Sequence, residues 1–219
     1  MTELVPPPAI LGERVLLREL NHRINNEFTS AINCVSVAAV RTDNVEVKTA
    51  LGKVVELLHQ YADVHRALKM PDRDDVINAA PYLQALCRSM SRSKLDRMDI
   101  KLVLVADTVW LHSERCWQLE MIVYGLVTNV ARHAFLEGKD GEVRVELSRA
   151  GASARCGVSD NGSAVAGVRP ARGLKIIGDL AKSLGGQVDY SLGVKGSSFM
   201  LALPFIAGEQ KANGSRHAA

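Results

Sequence analysis

The 219-residue sequence predicts an α-helical hairpin, of the kind that pairs into a dimeric four-helix bundle, followed by an α+β sandwich. Two apolar stripes at helical spacing, separated by one short polar break, predict the hairpin. Beyond Pro71 helical stretches interleave with short alternating stretches, and that pattern predicts the sandwich.

In chain order, residues 1–8 are expected to be a frayed leader, because Pro6, Pro7 and Pro8 cannot lie together inside a helix. Over residues 11–40, Leu17, Leu20, Ile24, Phe28, Ala31, Val35 and Ala38 recur every three or four positions and form one narrow stripe. The polar break at residues 41–44 is followed by a second stripe of Val47, Leu51, Val54, Leu58, Tyr61, Val64 and Leu68. These two helices form the first domain, residues 9–70. A lone hairpin encloses no core, so a homodimer is expected. The charged segment behind Pro71 marks the domain boundary.

The second domain is expected over residues 76–205. A helix at about 81–94 precedes a strand at 100–105 and a long helix at about 114–136. Strands at 142–147 and 153–159 flank a glycine-containing turn. A helix at about 173–184 is stopped by Gly185 and Gly186, and strands at 187–192 and 198–203 form a closing hairpin. Residues 206–219 are polar and are expected to form a disordered tail.

Composition narrows the function classes. With 27 basic and 24 acidic residues the formal charge is +3, too balanced to indicate nucleic-acid binding. No apolar run reaches the roughly 20 residues that span a bilayer, and residues 1–10 lack the pattern of a signal peptide, so neither membrane insertion nor secretion is expected. Cys34, Cys87, Cys116 and Cys156 stand singly, suggesting neither disulfides nor zinc and fitting a cytoplasmic location. The six histidines show no convincing ligand spacing.

His22 lies in the run ELNHRINN, residues 19–26. On a helical wheel it falls about 140° from Leu17, away from the apolar stripe, and Glu19 and Asn26 share its polar side. An exposed imidazole beside a carboxylate and an amide is equipped to act as a nucleophile. On the helix alone, the same residues read more readily as an ordinary solvated face.

Several motifs in one order add to this reading. Glu19, Leu20, His22, Arg23 and Asn26 resemble the phosphoacceptor box of bacterial two-component sensor histidine kinases with an HRxxN signature, a branch near the HWE kinases. Val64, His65, Arg66 and Leu68 resemble the end of that family's second helix. GLVTNVARHAF (residues 125–135) resembles its N box, VSDNG (158–162) its first glycine box, RGLKII (172–177) its second, and GSSFMLALP (196–204) its closing strand. The resemblance spans residues 11–204. It implies an ATP-binding domain of the GHKL type shared with gyrase, a class of heat-shock chaperones and the mismatch-repair ATPases.

The resemblance assigns roles residue by residue. His22 carries the phosphoryl group, Glu19 orients or deprotonates it, and Asn26 helps retain or later hydrolyse the phosphoryl group. Asn129 holds Mg²⁺ against the phosphates of ATP, with Arg132 and His133 one turn on. Asp160 accepts a hydrogen bond from the adenine amino group, and Gly162 lets backbone approach the base. Gly173 opens a helix whose first amides favour phosphate. The implied partner is a response-regulator receiver domain; no sensor is recognisable before His22, so the signal is expected either from a separate sensor protein or from a longer protein of which this chain is a fragment. Without the resemblance, Asn129 reads as a packing amide, Arg132 as a surface charge and Asp160–Asn161–Gly162 as a common turn.

Three positions depart from the family pattern. Gly125 stands where relatives often carry glutamate, and Ala164 and Ala171 replace expected glycines. Each alanine restricts the backbone where positive φ is needed, at a cost of about 1 kcal/mol. Histidine kinase activity is therefore the leading expectation. The alternatives are a dimeric phosphotransfer or scaffold protein with a degenerate ATP site, and a serine/threonine kinase of the anti-sigma type, which leaves the hairpin unexplained.

Overall fold

The structure, a computed structural model, describes residues 8–71, 75–135, 140–163, 172–193 and 195–215. The chain divides after Met70 into two compact units.

The first unit is the expected hairpin. Helix α1 spans Pro8–Arg41 and α2 spans Val45–Ala67. Pro8 takes the first helical position, where its missing N–H costs nothing. The break is chemical as well as geometric. Asn44 caps α2, its side-chain oxygen accepting from Glu46 N at 2.9 Å and Val47 N at 3.1 Å, a contribution of about 1 kcal/mol. Between the helices, the rings of Phe28 and His65 lie 5.2 Å apart.

The second unit is a sandwich of helices on one face of a mixed five-stranded sheet. The sheet strands are β2 (Ile100–Ala106), β4 (Gly141–Ala150), β5 (Ser153–Asp160), β6 (Gln187–Gly193) and β7 (Gly196–Pro204), in the order β2-β4-β5-β7-β6. Only the β2–β4 pair is parallel. Helices α3 (Ala79–Met90), α4 (Ser113–His133) and α5 (Arg172–Ser183) cover it. Register aligns one buried face: Val145 pairs Val158, which pairs Phe199, and Leu147 pairs Cys156, which pairs Leu201. Leu119, Ile122, Val123 and Val127 of α4 are buried too, and α4 packs against β4 and β5. Each fully buried aliphatic side chain contributes about 1.5–3 kcal/mol. Gly185 ends α5 in the left-handed region (φ +68°), and Gly186 N donates to Ala181 O at 2.9 Å.

Three features differ from the sequence expectation. Strands β1 (Val76–Asn78) and β3 (Trp110–His112) form a small antiparallel ribbon; three residues each are too few to show alternation. The chain after α3 stays helical over Ser91–Leu95 but winds wider, as a π-turn. The third is a correction: the expected tail, residues 206–219, contains helix α6 (Ala207–Ser215). Its polar residues are internal. Glu209 is fully buried, accepting from His112 N at 2.9 Å and Ile206 N at 3.1 Å and pairing with Arg115. Asn213 exchanges hydrogen bonds with both backbone groups of Trp110. A helix that buries polar rather than apolar groups carries no hydrophobic period to read. Residues 216–219 lie outside the described ones. Among the described residues, no helix is long and apolar enough to cross a membrane.

Candidate active site

In the first unit, His22 is exposed on α1. Asn26, one turn on, brings its amide Nδ2 to 3.2 Å from the ring Nδ1 of His22. Glu19 is engaged elsewhere: its Oε1 accepts from Arg23 Nε at 2.9 Å. The structure thus brings Asn26 to the ring and pairs Glu19 with Arg23. Helical geometry permits both, since i+4 neighbours share a face. His65, on α2, has its pKa lowered from 6.5 by burial.

In the second unit, the ends of four elements converge. Asp160 closes β5, and both of its carboxylate oxygens receive backbone N–H groups. Oδ1 accepts from Gly162 N at 2.9 Å and Oδ2 from Ser197 N, on neighbouring β7, at 3.1 Å. Burial raises the pKa of Asp160, and the hydrogen bonds from Gly162 and Ser197 oppose that rise. Asn161 clamps the turn from the other side, its Oδ1 accepting from Glu142 N at 2.7 Å. Gly196 adopts φ +124° and lies so close to the Asp160 backbone that any Cβ would collide with it. Gly162 abuts the carbonyl of Ala134, just past the end of α4, with the same consequence, and Ser163 N donates to that carbonyl at 2.9 Å.

Asn129, half-buried on α4, faces the first turn of α5: a Cβ on Gly173 would stand 3.1 Å from Asn129 Nδ2. Arg132 and His133 are exposed on the last turn of α4. Asn129 thus faces Gly173 between α4 and α5, while Gly162, beside Asp160, abuts the residue just past the end of α4. Gly125 also faces α5, with Ile177 filling the space beside it. Ala164, Ala171 and the residues between them lie outside the described ones.

Chemically, the arrangement offers an acceptor for an amino group beside a site suited to anions. A carboxylate fixed by two backbone donors retains lone pairs for an amino group. Glycines remove side chains where backbone must approach, and a helix N-terminus next to a side-chain amide suits phosphates and a hard cation. Sequence reasoning missed Ser197 as a partner of Asp160 and Ile177 as the neighbour of Gly125. Both depend on strand register and helix docking, which leave no local signal.

Residues 19–94 match the family model described as histidine kinase, HisKA_2. The sensor histidine kinase PdtaS of Mycobacterium tuberculosis is 29% identical over 143 residues, 64% of this chain and 28% of that protein. The blue-light-activated histidine kinase 2 of Erythrobacter litoralis is 25% identical over 86% of this chain and 56% of its own length. The chain thus spans little more than a quarter of the first of these relatives. The histidine kinase domain of the Erythrobacter litoralis EL346 blue-light-activated kinase superposes with a TM-score of 0.57, at 18% identity, covering 84% of this chain and 98% of that one. Full-length ShkA, solved in complex with AMPPNP, gives 0.52 at 20% identity, covering 87% of this chain and 45% of ShkA. Residues 19–94 are thus similar to the HisKA_2 histidine kinase family, and the chain shares the fold of solved histidine kinases.

Proposed function

We propose that this chain is an ATP:protein-histidine phosphotransferase that phosphorylates itself on His22. The observation that carries this reading is the presence, in one chain, of an exposed helical histidine held by an amide and of a glycine-lined junction around Asp160 and Asn129. The relatives support the same chemistry. Asp160 would read the adenine, and the N-terminal amides of α5 with Arg132 would face the phosphates. Asn129 would contribute an oxygen to Mg²⁺, which when bound neutralises charge developing on the phosphates. Catalysis on this reading is positioning and charge neutralisation rather than covalent chemistry by the second unit.

The phosphoryl group would then pass from His22 to an aspartate of a response-regulator receiver domain. A homodimer fits the exposed apolar residues Val15, Leu16, Leu20, Val40 and Val45 of the hairpin, which a second copy would cover. The signal would arrive from a sensor, on a separate protein or in the same polypeptide.

A second reading is a phosphotransfer or scaffold protein with a spent ATP site. It is favoured by Gly125, because the place of the relatives' glutamate is packed by Ile177.

One experiment separates them. The protein is incubated with γ-labelled ATP and Mg²⁺ beside His22→Ala and Asn129→Ala. Acid-labile label on the wild type, lost in both variants, is the expected result. No label from ATP, with label acquired by His22 from a phosphorylated receiver domain, would replace the kinase reading with the phosphotransfer one.

A further inference from the structure

The hydrogen bond between Asn26 and His22 bears on which ring nitrogen can react. A neutral imidazole has one N–H and one lone pair, on different nitrogens, and only the nitrogen with the lone pair is a nucleophile. Free in water, a histidine side chain prefers its proton on Nε2, which leaves the outer nitrogen inert. To attack through Nε2, the exposed tip of the ring, His22 must carry its proton on Nδ1, and that N–H needs an acceptor.

Asn26 is in position to be that acceptor. Its amide group lies 3.2 Å from Nδ1, and either end of an amide can occupy such a site. Glu19, the other candidate on this face, is bound to Arg23 at 2.9 Å. The side chain of Asn25 is turned to the Asn21 carbonyl at 3.0 Å. With the amide NH₂ directed at Nδ1, the imidazole proton stays on Nε2 and the ring is unreactive at its tip. With the amide oxygen directed there, Nδ1–H donates to it and Nε2 exposes its lone pair.

We propose that Asn26 is a positioning residue that selects the tautomer of His22: its carbonyl oxygen holds the proton on Nδ1 and thereby makes Nε2 the phosphoryl acceptor. This deepens the kinase reading and rests on it. In the step itself, the Nε2 lone pair forms the bond to the γ-phosphorus while the bond from that phosphorus to the β,γ-bridging oxygen breaks. ADP leaves with the electron pair. The ring then carries phosphorus on Nε2 and hydrogen on Nδ1, and the Nδ1 proton is lost to water.

The test needs no activity for its first arm. Long-range ¹H–¹⁵N spectra of ring-labelled protein, recorded well above the imidazole pKa, report the tautomer of His22 in wild type, Asn26→Ala and Asn26→Asp. The expected result is a shift of the tautomer ratio toward Nε2–H in Asn26→Ala, about fivefold for one exposed hydrogen bond. Asn26→Asp, whose carboxylate can only accept, restores the Nδ1–H form. Equal ratios in wild type and Asn26→Ala overturn the proposal. In the second arm, wild type labelled from ATP is digested and its phosphohistidine isomer identified. Phosphorus on Nε2 is expected, and phosphorus on Nδ1 overturns the proposal. Failure of the wild type to label at all defeats the kinase reading instead and leaves the tautomer measurement standing. Circular dichroism of the exposed-site variants confirms that the hairpin is intact.

Discussion

Ile177 packs against Gly125 so closely that a methyl group on Gly125 would stand 3.2 Å from the Cδ1 of Ile177. The absence of a side chain on α4 is thus matched by a buried side chain on α5, and the same pair of helices brings Gly173 to Asn129. Gly125→Ala should push the end of Ile177 aside by a few tenths of an ångström, offsetting part of the about 1 kcal/mol that alanine gains over glycine inside a helix. Pairing it with Ile177→Val should relieve the crowding and raise the denaturation midpoint above that of Ile177→Val alone. Gly125→Glu should be tolerated only with Ile177→Ala, and no difference between the single and double variants would contradict this packing.

Glu120 is buried in the core of the second unit, and its Oε1 lacks a hydrogen-bond partner. Burial raises its pKa from 4.5 to about 8. The folded state therefore favours the protonated acid. Its contribution to stability is full below pH 4.5 and is lost as pH rises from there through about 8. The loss by neutral pH is on the order of 3 kcal/mol. Unfolding free energies measured across this range should fall with pH in the wild type, and Glu120→Gln should flatten the decline.

The ion pair of Glu209 with Arg115 fastens α6 to the sandwich. Arg115 also donates to the carbonyls of Leu184 at 3.1 Å and Pro204 at 2.9 Å. Glu209→Ala leaves a mostly buried guanidinium and the N–H groups of His112 and Ile206 without their acceptor, at a cost of about 3–5 kcal/mol. Ending the chain at Phe205 should destabilise the second unit comparably in thermal melts.

His65 shifts in the opposite direction from Glu120. Burial lowers its pKa from 6.5, so folding favours the neutral ring. The stability linked to it is full above pH 6.5 and declines as pH falls through the folded value. His65→Leu should flatten that acid limb in the isolated hairpin unit's helical signal, with the ring contact to Phe28 replaced by an aliphatic one.

Both helices of the hairpin were legible because their apolar residues repeat at helical spacing, and Asn44 sits where a helix start needs a capping side chain. The long helix carrying Asn129 and the strands ending at Asp160 and Pro204 were legible for the same local reason. His22, Asn26, Asn129, Asp160, Gly162 and Gly173 could be singled out because short motifs keep their order along a chain.

Helix α6 was not legible, since Glu209, Asn213 and their neighbours read as a solvated tail until His112, Arg115 and Trp110 are placed beside them. Nor could the sequence tell that Glu19 would pair with Arg23 while Asn26 took the ring of His22, because Glu19, Arg23 and Asn26 all lie within about one helical turn of His22. The sequence by itself determined the elements other than β1, β3 and α6, through periodicity, caps and glycines, all of which act over a few residues. Only the tertiary structure decided that Ser197 would hold Asp160, that Gly173 would meet Asn129 and that Ile177 would fill the space beside Gly125. Such contacts depend on strand register and helix docking, and these follow from how the whole core packs.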